Sequence, residues 1–248
     1  MRRRVLALSL TSVLLAANLA LADAPPPTTP SKPAPKAADP KWEPFDQQDG
    51  IRMFRRDVAG SDVVALRGEG FVEAPITRVA SVLIDRKRST EWIDRLAKTK
   101  VLRELSDTES INWNHIKTPT PLQDRDFVFK SVLSTDPQAK KVFMKYESVT
   151  DPLAPETGDY VRGHFKQGKF ELTMATVTKK DGTKVKGTIV LAEVLVDPRG
   201  SVPTFIVNLV QKAWPHKTIS ALRKQVAKPD IKDDSRVVER LTKEGFFQ

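Results

Sequence analysis

Two proline-punctuated junctions constrain this chain more than any other feature. The first runs Thr118-Pro119-Thr120-Pro121-Leu122-Gln123-Asp124-Arg125-Asp126-Phe127-Val128-Phe129. Each proline fixes its own φ and pushes the residue before it toward extended geometry, so the string reads as a stiffened loop feeding a strand. The second runs Asp197-Pro198-Arg199-Gly200-Ser201-Val202-Pro203. Asp-Pro and Gly mark a turn at a strand end, and Pro203 suits the first position of a helix, where its missing N–H would have no partner.

The elements around these junctions follow from periodicity. Gly50 to Val58 and Val63 to Val72 alternate apolar and polar residues and predict strands. Ala74-Pro75 opens a helix in which Ile76, Val79, Val82 and Leu83 recur at helical spacing, and a second short helix is predicted over Ser89 to Leu96. The middle of the chain reads as strand over Lys100–Leu105, Ser110–Lys117, Asp126–Leu133, Lys141–Val149, Tyr160–Lys166, Lys169–Val177 and Lys186–Val196. Turn chemistry such as Asp136-Pro137 and Asp181-Gly182 separates these runs. A last helix is predicted from Val202 to about Val226, its apolar stripe formed by Phe205, Ile206, Leu209, Val210, Ala213, Ile219, Leu222 and Val226. Pro215 is expected to kink or restart it. This order gives an α+β domain.

The ends of the chain read differently. Arg2, Arg3 and Arg4 precede an uncharged stretch from Val5 to Ala22 that closes on Ala20-Leu21-Ala22, the layout of a signal peptide. Cleavage near Ala22 is expected; an uncleaved anchor is the alternative, because the stretch reaches the lower length for spanning a bilayer. Residues 23–41 hold the proline-rich run Ala24 to Lys36 and read as a disordered or polyproline-like linker. Residues 42–228 are the expected domain and 229–248 a charged tail. Losing the three arginines takes the formal net charge from +10 to +7, an excess that suits an anionic membrane surface. No basic arm interleaved with aromatics points to nucleic acid. The chain has no cysteine, so its fold rests on its core alone, which suits a bacterial periplasm.

The string Pro-x-Pro-Leu-x-x-Arg-Asp-Phe-Val at 119–128, together with Asp-Pro-x-Gly-x-Val-Pro at 197–203 and Asn208, resembles the START domain, the StAR-related lipid-transfer family. The resemblance spans Trp42 to Lys228 and implies an exported bacterial member. It implies a helix-grip fold, a curved antiparallel β-sheet wrapped around the long C-terminal α-helix with an internal apolar cavity, bordered by the two junctions. It also implies non-catalytic binding and transfer of a lipid: a sterol, a triterpenoid or a phospholipid. Alternate strand residues point the same way, so Phe127, Phe129 and Ser131 are expected to face inward. Phe205, Ile206, Leu209 and Val210 are expected on the facing side of the helix; ordinary core packing is the alternative for each of these apolar residues. Steroid-binding members place an arginine and an acid on two adjacent strands; here Ser131 takes the arginine's place, and Asn112 and Asn114 stand where an acid is expected. A neutral polar site around Asn112, Asn114 and Ser131 would favour a hydroxyl over a phosphate. Arg125 and Asp126 are expected to tie the loop to the strand, and Trp113 to brace the outer face.

Other chemistry is poorly represented. Cysteine nucleophiles are excluded, and His115, His164 and His216 stand on different predicted elements without metal-ligand spacing. Phosphate-loop, dinucleotide and serine-hydrolase signatures are missing. The expectation is a monomeric lipid carrier with no cofactor and transient membrane contact. The alternatives are a helix-grip enzyme of the cyclase or aromatase type and an envelope protein-interaction module.

Overall fold

The described residues form ten strands, and the longer inner ones show period-two alternation of burial. The computed structural model describes residues 41–61, 63–200, 202 and 204–247, with backbone alone over 204–211. The expected signal segment, and the linker up to residue 40, lie outside them. In chain order the elements are β1 (Glu43–Gln48), β2 (Ile51–Arg56), β3 (Ala65–Val72), α1 (Ile76–Ile84), β4 (Leu96–Ser106), β5 (Glu109–Ile116), β6 (Arg125–Asp136), β7 (Lys141–Ser148), β8 (Val161–Arg162), β9 (His164–Thr178), β10 (Lys184–Asp197), α2 (Thr204–Val226) and α3 (Ser235–Lys243). The strands form one curved antiparallel sheet in the order β1-β2-β3-β10-β9-β7-β6-β5-β4, with the short β8 running parallel to the start of β6.

Register decides which side chains meet the helix. Asn112 pairs with Phe129, Asn114 with Phe127, Met144 with Leu133 and Ala192 with Phe170, which places these residues together on the concave face. The long helix α2 lies across that face. A Cβ added to Gly68 would stand 2.9 Å from the Cβ of Pro215, so the glycine is what lets α2 rest directly on β3. Pro215 lies inside a continuous α2, where it was expected to kink or restart the helix. Ile219, Leu222 and Val226 from α2 join Ile51, Val72 and Val190 in the core. The convex face carries charge instead: Arg52–Glu69, Arg67–Glu193, Lys169–Glu193, Lys169–Glu171 and Lys141–Glu171 form an alternating ladder over β2, β3, β10, β9 and β7. The Arg52 end of the ladder is exposed and contributes little, whereas Glu193 is buried and held by both Arg67 and Lys169; the alternation keeps like charges from meeting across strands.

Four expectations are corrected. The helix expected over Ser89–Leu96 is a single 3-10 turn at Ser89–Glu91, because Arg95 takes a left-handed φ of 60° and turns the chain into β4 at Leu96. The strands expected over Tyr160–Lys166 and Lys169–Val177 are divided otherwise, into the two-residue β8 and a β9 that runs without a break through Gly168. Strand β1 was not anticipated; only Phe45 among its residues packs on the core, and backbone pairing with β2 holds the rest. The segment 229–248, expected as a charged tail, folds onto the domain through residue 247. Asp234 caps α3 by accepting from the N–H of Arg236, and its own N–H donates to Ser81 Oγ at 2.7 Å. Ile231, Val237, Leu241 and Phe246 are buried. Val237 and Leu241 lie one helical turn apart, so a helix gathers few apolar residues onto one face despite the charges around them.

Candidate functional site

The sheet does not close completely on α2. Toward the loops at 118–124 and 197–202 an apolar cavity of about 300 Å³ remains. β6 supplies Phe127 and Phe129, β7 supplies Tyr146, β9 supplies Phe165 and Phe170, β3 supplies Leu66 and α2 supplies Trp214; Thr118, Pro119, Leu122, Pro198 and Val202 line the loop end. The aromatic wall is a chain of contacts: ring centroids lie 4.8 Å apart for Phe127–Phe165, 5.4 Å for Phe129–Phe165, 5.8 Å for Phe129–Tyr146 and 6.1 Å for Tyr146–Phe170. Tilted and edge-on rings at these spacings hold one another in place, so the cavity is preformed rather than collapsed.

Both junctions meet at Arg125. Its guanidinium is buried and donates to the carbonyl oxygens of Pro198 at 3.2 Å, Arg199 at 3.1 Å and Gln123. One side chain thus ties the proline loop to the turn before α2. Burial pulls the Arg125 pKa down, with Asp124 opposing that shift. Asp126 faces the convex side, where Arg162 forks onto it with two bonds of 2.8 Å and the Trp113 indole N–H donates at 2.8 Å. Arg125 ties the loop as expected and Trp113 lies on the outer face as expected, whereas Asp126 does not reach the loop: its partners Arg162 and Trp113 stand on β8 and β5. Asp124 pins the loop itself: it accepts from the N–H of Thr118 at 2.8 Å and lies 2.7 Å from His115 Nε2. The Thr118 N–H first, and His115 second, hold the Asp124 carboxyl below its usual value.

A second, polar chamber of about 400 Å³ opens near the β4–β5 turn. Ser110, Ser131, Glu104, Asp107, Arg236 and Lys232 are among its walls. Ser131 Oγ lies 2.9 Å from Ser110 Oγ and accepts from Asn112 Nδ2 at 3.0 Å, while Asn112 Nδ2 also donates to Ser110 Oγ at 3.0 Å. These three polar groups satisfy one another.

The expected site residues therefore separate. Phe127, Phe129 and Asn114 line the apolar cavity; Asn114 accepts from Thr99 Oγ1 at 2.8 Å. Ser131 lines the polar chamber, and Asn112, fully buried behind it, lines neither space. The side chains of Phe205, Ile206, Leu209 and Val210 lie outside the described residues. Tyr146, Phe165, Phe170, Trp92 and Arg86 line the apolar cavity without having been singled out. Alternation along β7 and β9 carried that signal for the first three, once the register shift between Leu195 and Val196 is allowed for: it pairs Val196 with Phe165 and leaves Lys166 unpaired.

Comparisons with known proteins agree with this architecture. The chain is 25% identical over 187 residues to an uncharacterised protein of Pseudomonas aeruginosa, covering 75% of this chain and 87% of that protein. It is 26% identical over 187 residues to the mouse (Mus musculus) phosphatidylcholine transfer protein, covering 73% of this chain and 80% of that one. Among solved structures, a STAR-related lipid transfer protein fragment from Xanthomonas axonopodis superposes with a TM-score of 0.62 at 26% identity, covering 75% of this chain and 99% of that one. The START domain family model matches residues 34–228. With the curved sheet, the long helix and the cavity between them, that match places the chain in the START domain family.

Proposed function

We propose that this protein is a non-catalytic lipid carrier that holds one lipid in the apolar cavity and passes it between membranes outside the cytoplasm. The carrying observation is the cavity itself: an aromatic-walled space inside a folded domain that an apolar body would fill, at a gain of about 25 cal/mol per Å² of apolar surface removed from water. Relatives named for lipid transfer support the class. The loop end, where Pro119, Leu122, Pro198 and Val202 line the space, is the proposed entrance. The basic, signal-like amino end supports export to a periplasm.

Organic extraction of the purified full-length protein, followed by mass spectrometry and a vesicle-to-vesicle transfer assay, tests this. A stoichiometric lipid released unchanged and moved between vesicles is expected. Chemical turnover of that lipid, or neither binding nor transfer, refutes the carrier. Cell fractionation with amino-terminal sequencing tests the address, with a mature start near Asp23 expected.

A further inference from the structure

The apolar cavity and the polar chamber share one lining residue among the described ones, Arg86. It follows the last turn of α1, half-buried, with its guanidinium carbon 5.5 Å from the Tyr146 ring centre. Its neighbours are neutralised: Arg88 pairs with Glu91 and Asp230, and Arg78 with Asp233. Arg86 forms no ion pair among the described residues. Burial raises the Tyr146 pKa and the charge of Arg86 opposes that rise, so the cation is felt inside the aromatic wall. The acids across the chamber are partly engaged: Glu109 pairs with Lys130, Asp234 with Arg236, and Asp85 accepts from the N–H of Arg88. Glu104 and Asp107 form no ion pair among the described residues, and both line the chamber.

A half-buried cation without a counter-ion, at the boundary between an apolar and a polar space, is a place for an anion attached to an apolar body. Guanidinium suits a carboxylate or phosphate because it offers paired donors in one plane. We propose that Arg86 selects amphiphiles bearing an oxyanion, with the apolar body in the aromatic cavity and the headgroup in the polar chamber. This rests on the carrier reading and gives it a ligand class. It departs from the hydroxyl preference expected of Asn112 and Ser131, whose polar groups already bond one another. The acids of the chamber suit a head with a single negative group, flanked by a neutral or cationic one, better than a polyanion.

Matched pairs test the inference on the full-length protein. Oleate is compared with methyl oleate, and dioleoyl phosphatidylethanolamine with dioleoylglycerol, by competition against a fluorescent lipid. A preference of about tenfold or more for the oxyanion member of either pair supports the inference, and the pair that shows it tells carboxylate from phosphate. Arg86→Gln should abolish the preference, lowering the affinity for the oxyanion member by about tenfold or more relative to its neutral partner, and Arg86→Lys should restore part of it. Equal binding of both members of each pair by the unsubstituted protein overturns the inference and leaves the carrier intact. Retention of the full preference by Arg86→Gln does the same. An unsubstituted protein that binds no member of either pair overturns the inference, and the carrier then stands or falls on the extraction and transfer experiment.

Discussion

At the scale of single residues, the two junctions matter because Arg125 joins them. Replacing it by methionine keeps most of its bulk and removes three donations to backbone carbonyls. Bonds from a charged donor contribute about 1.5–3 kcal/mol each, yet some of these carbonyls can turn to water, so a loss of about 3 kcal/mol is expected by urea denaturation. A loss below about 0.5 kcal/mol, the range of an ordinary surface substitution, would mean the tie is incidental. Asp124 makes a second prediction. Its folded pKa is depressed by Thr118 and His115. A depressed carboxyl stabilises the fold above its unfolded pKa, near 3.8, and that contribution is lost as pH falls through the lower folded value. Asp124→Asn should therefore be less stable than the parent at neutral pH, with the gap closing as the pH is taken below about 4. A gap independent of pH would assign the effect to the amide rather than to charge. The role of Arg125 was readable only through the resemblance to the START family, and its reach to the carbonyls of Pro198 and Arg199 needed the structure. The position of Ser131 was only half readable: alternation gives the face of a strand, not the distance along it, and Ser131 lies beyond the apolar cavity, in the polar chamber.

At the scale of elements, close approach and end-packing decide what the sheet and helices tolerate. Gly163 stands where a Cβ would come within 2.3 Å of the Phe127 ring, so Gly163→Ala must drive that ring toward the cavity. Weaker binding of bulky lipids with little change for slender ones is expected from a titration of both; equal loss for all would indicate general unfolding. Helix α3 carries a larger prediction. Cutting the chain after Lys228, where the family match ends, would uncover the part of α1 that α3 packs on and remove four buried side chains. At about 1.5–3 kcal/mol each the loss is on the order of 6–12 kcal/mol. That rivals the roughly 5–15 kcal/mol that holds a typical domain together. The truncated chain should be largely unfolded by circular dichroism, and a melt matching the full-length protein would make α3 accessory. Neither α3 nor β1 stood out in the sequence for related reasons. β1 relies on backbone pairing and shows no alternation, whereas α3 hides an apolar face within a strongly charged segment.

At the scale of the whole molecule, the strand runs and the long closing helix were legible because burying one face of a sheet forces period-two alternation on the strands that line the core. The vacancy was not. A side chain that walls a cavity and one that fills a core carry the same pattern, and only the structure shows that Gly68 meets α2 while Phe165 and Val196 line the cavity. Charge is the other global property, and it bears on how a carrier meets its membrane. The full sequence carries a formal net charge of +10, or +7 if the amino segment is cleaved, and the convex ladder adds to that excess by joining four cations to three acids. A net positive carrier is drawn to anionic bilayers by its summed field rather than by any one contact. Transfer to vesicles containing phosphatidylglycerol should therefore be faster than to vesicles of phosphatidylcholine alone. Raising salt from about 0.1 M to about 1 M shortens the screening length from about 10 Å to about 3 Å, which should remove most of that advantage while leaving the neutral-vesicle rate nearly constant. A rate that ignores both bilayer charge and salt would place the limiting step inside the protein, at release of the lipid from the cavity rather than at docking.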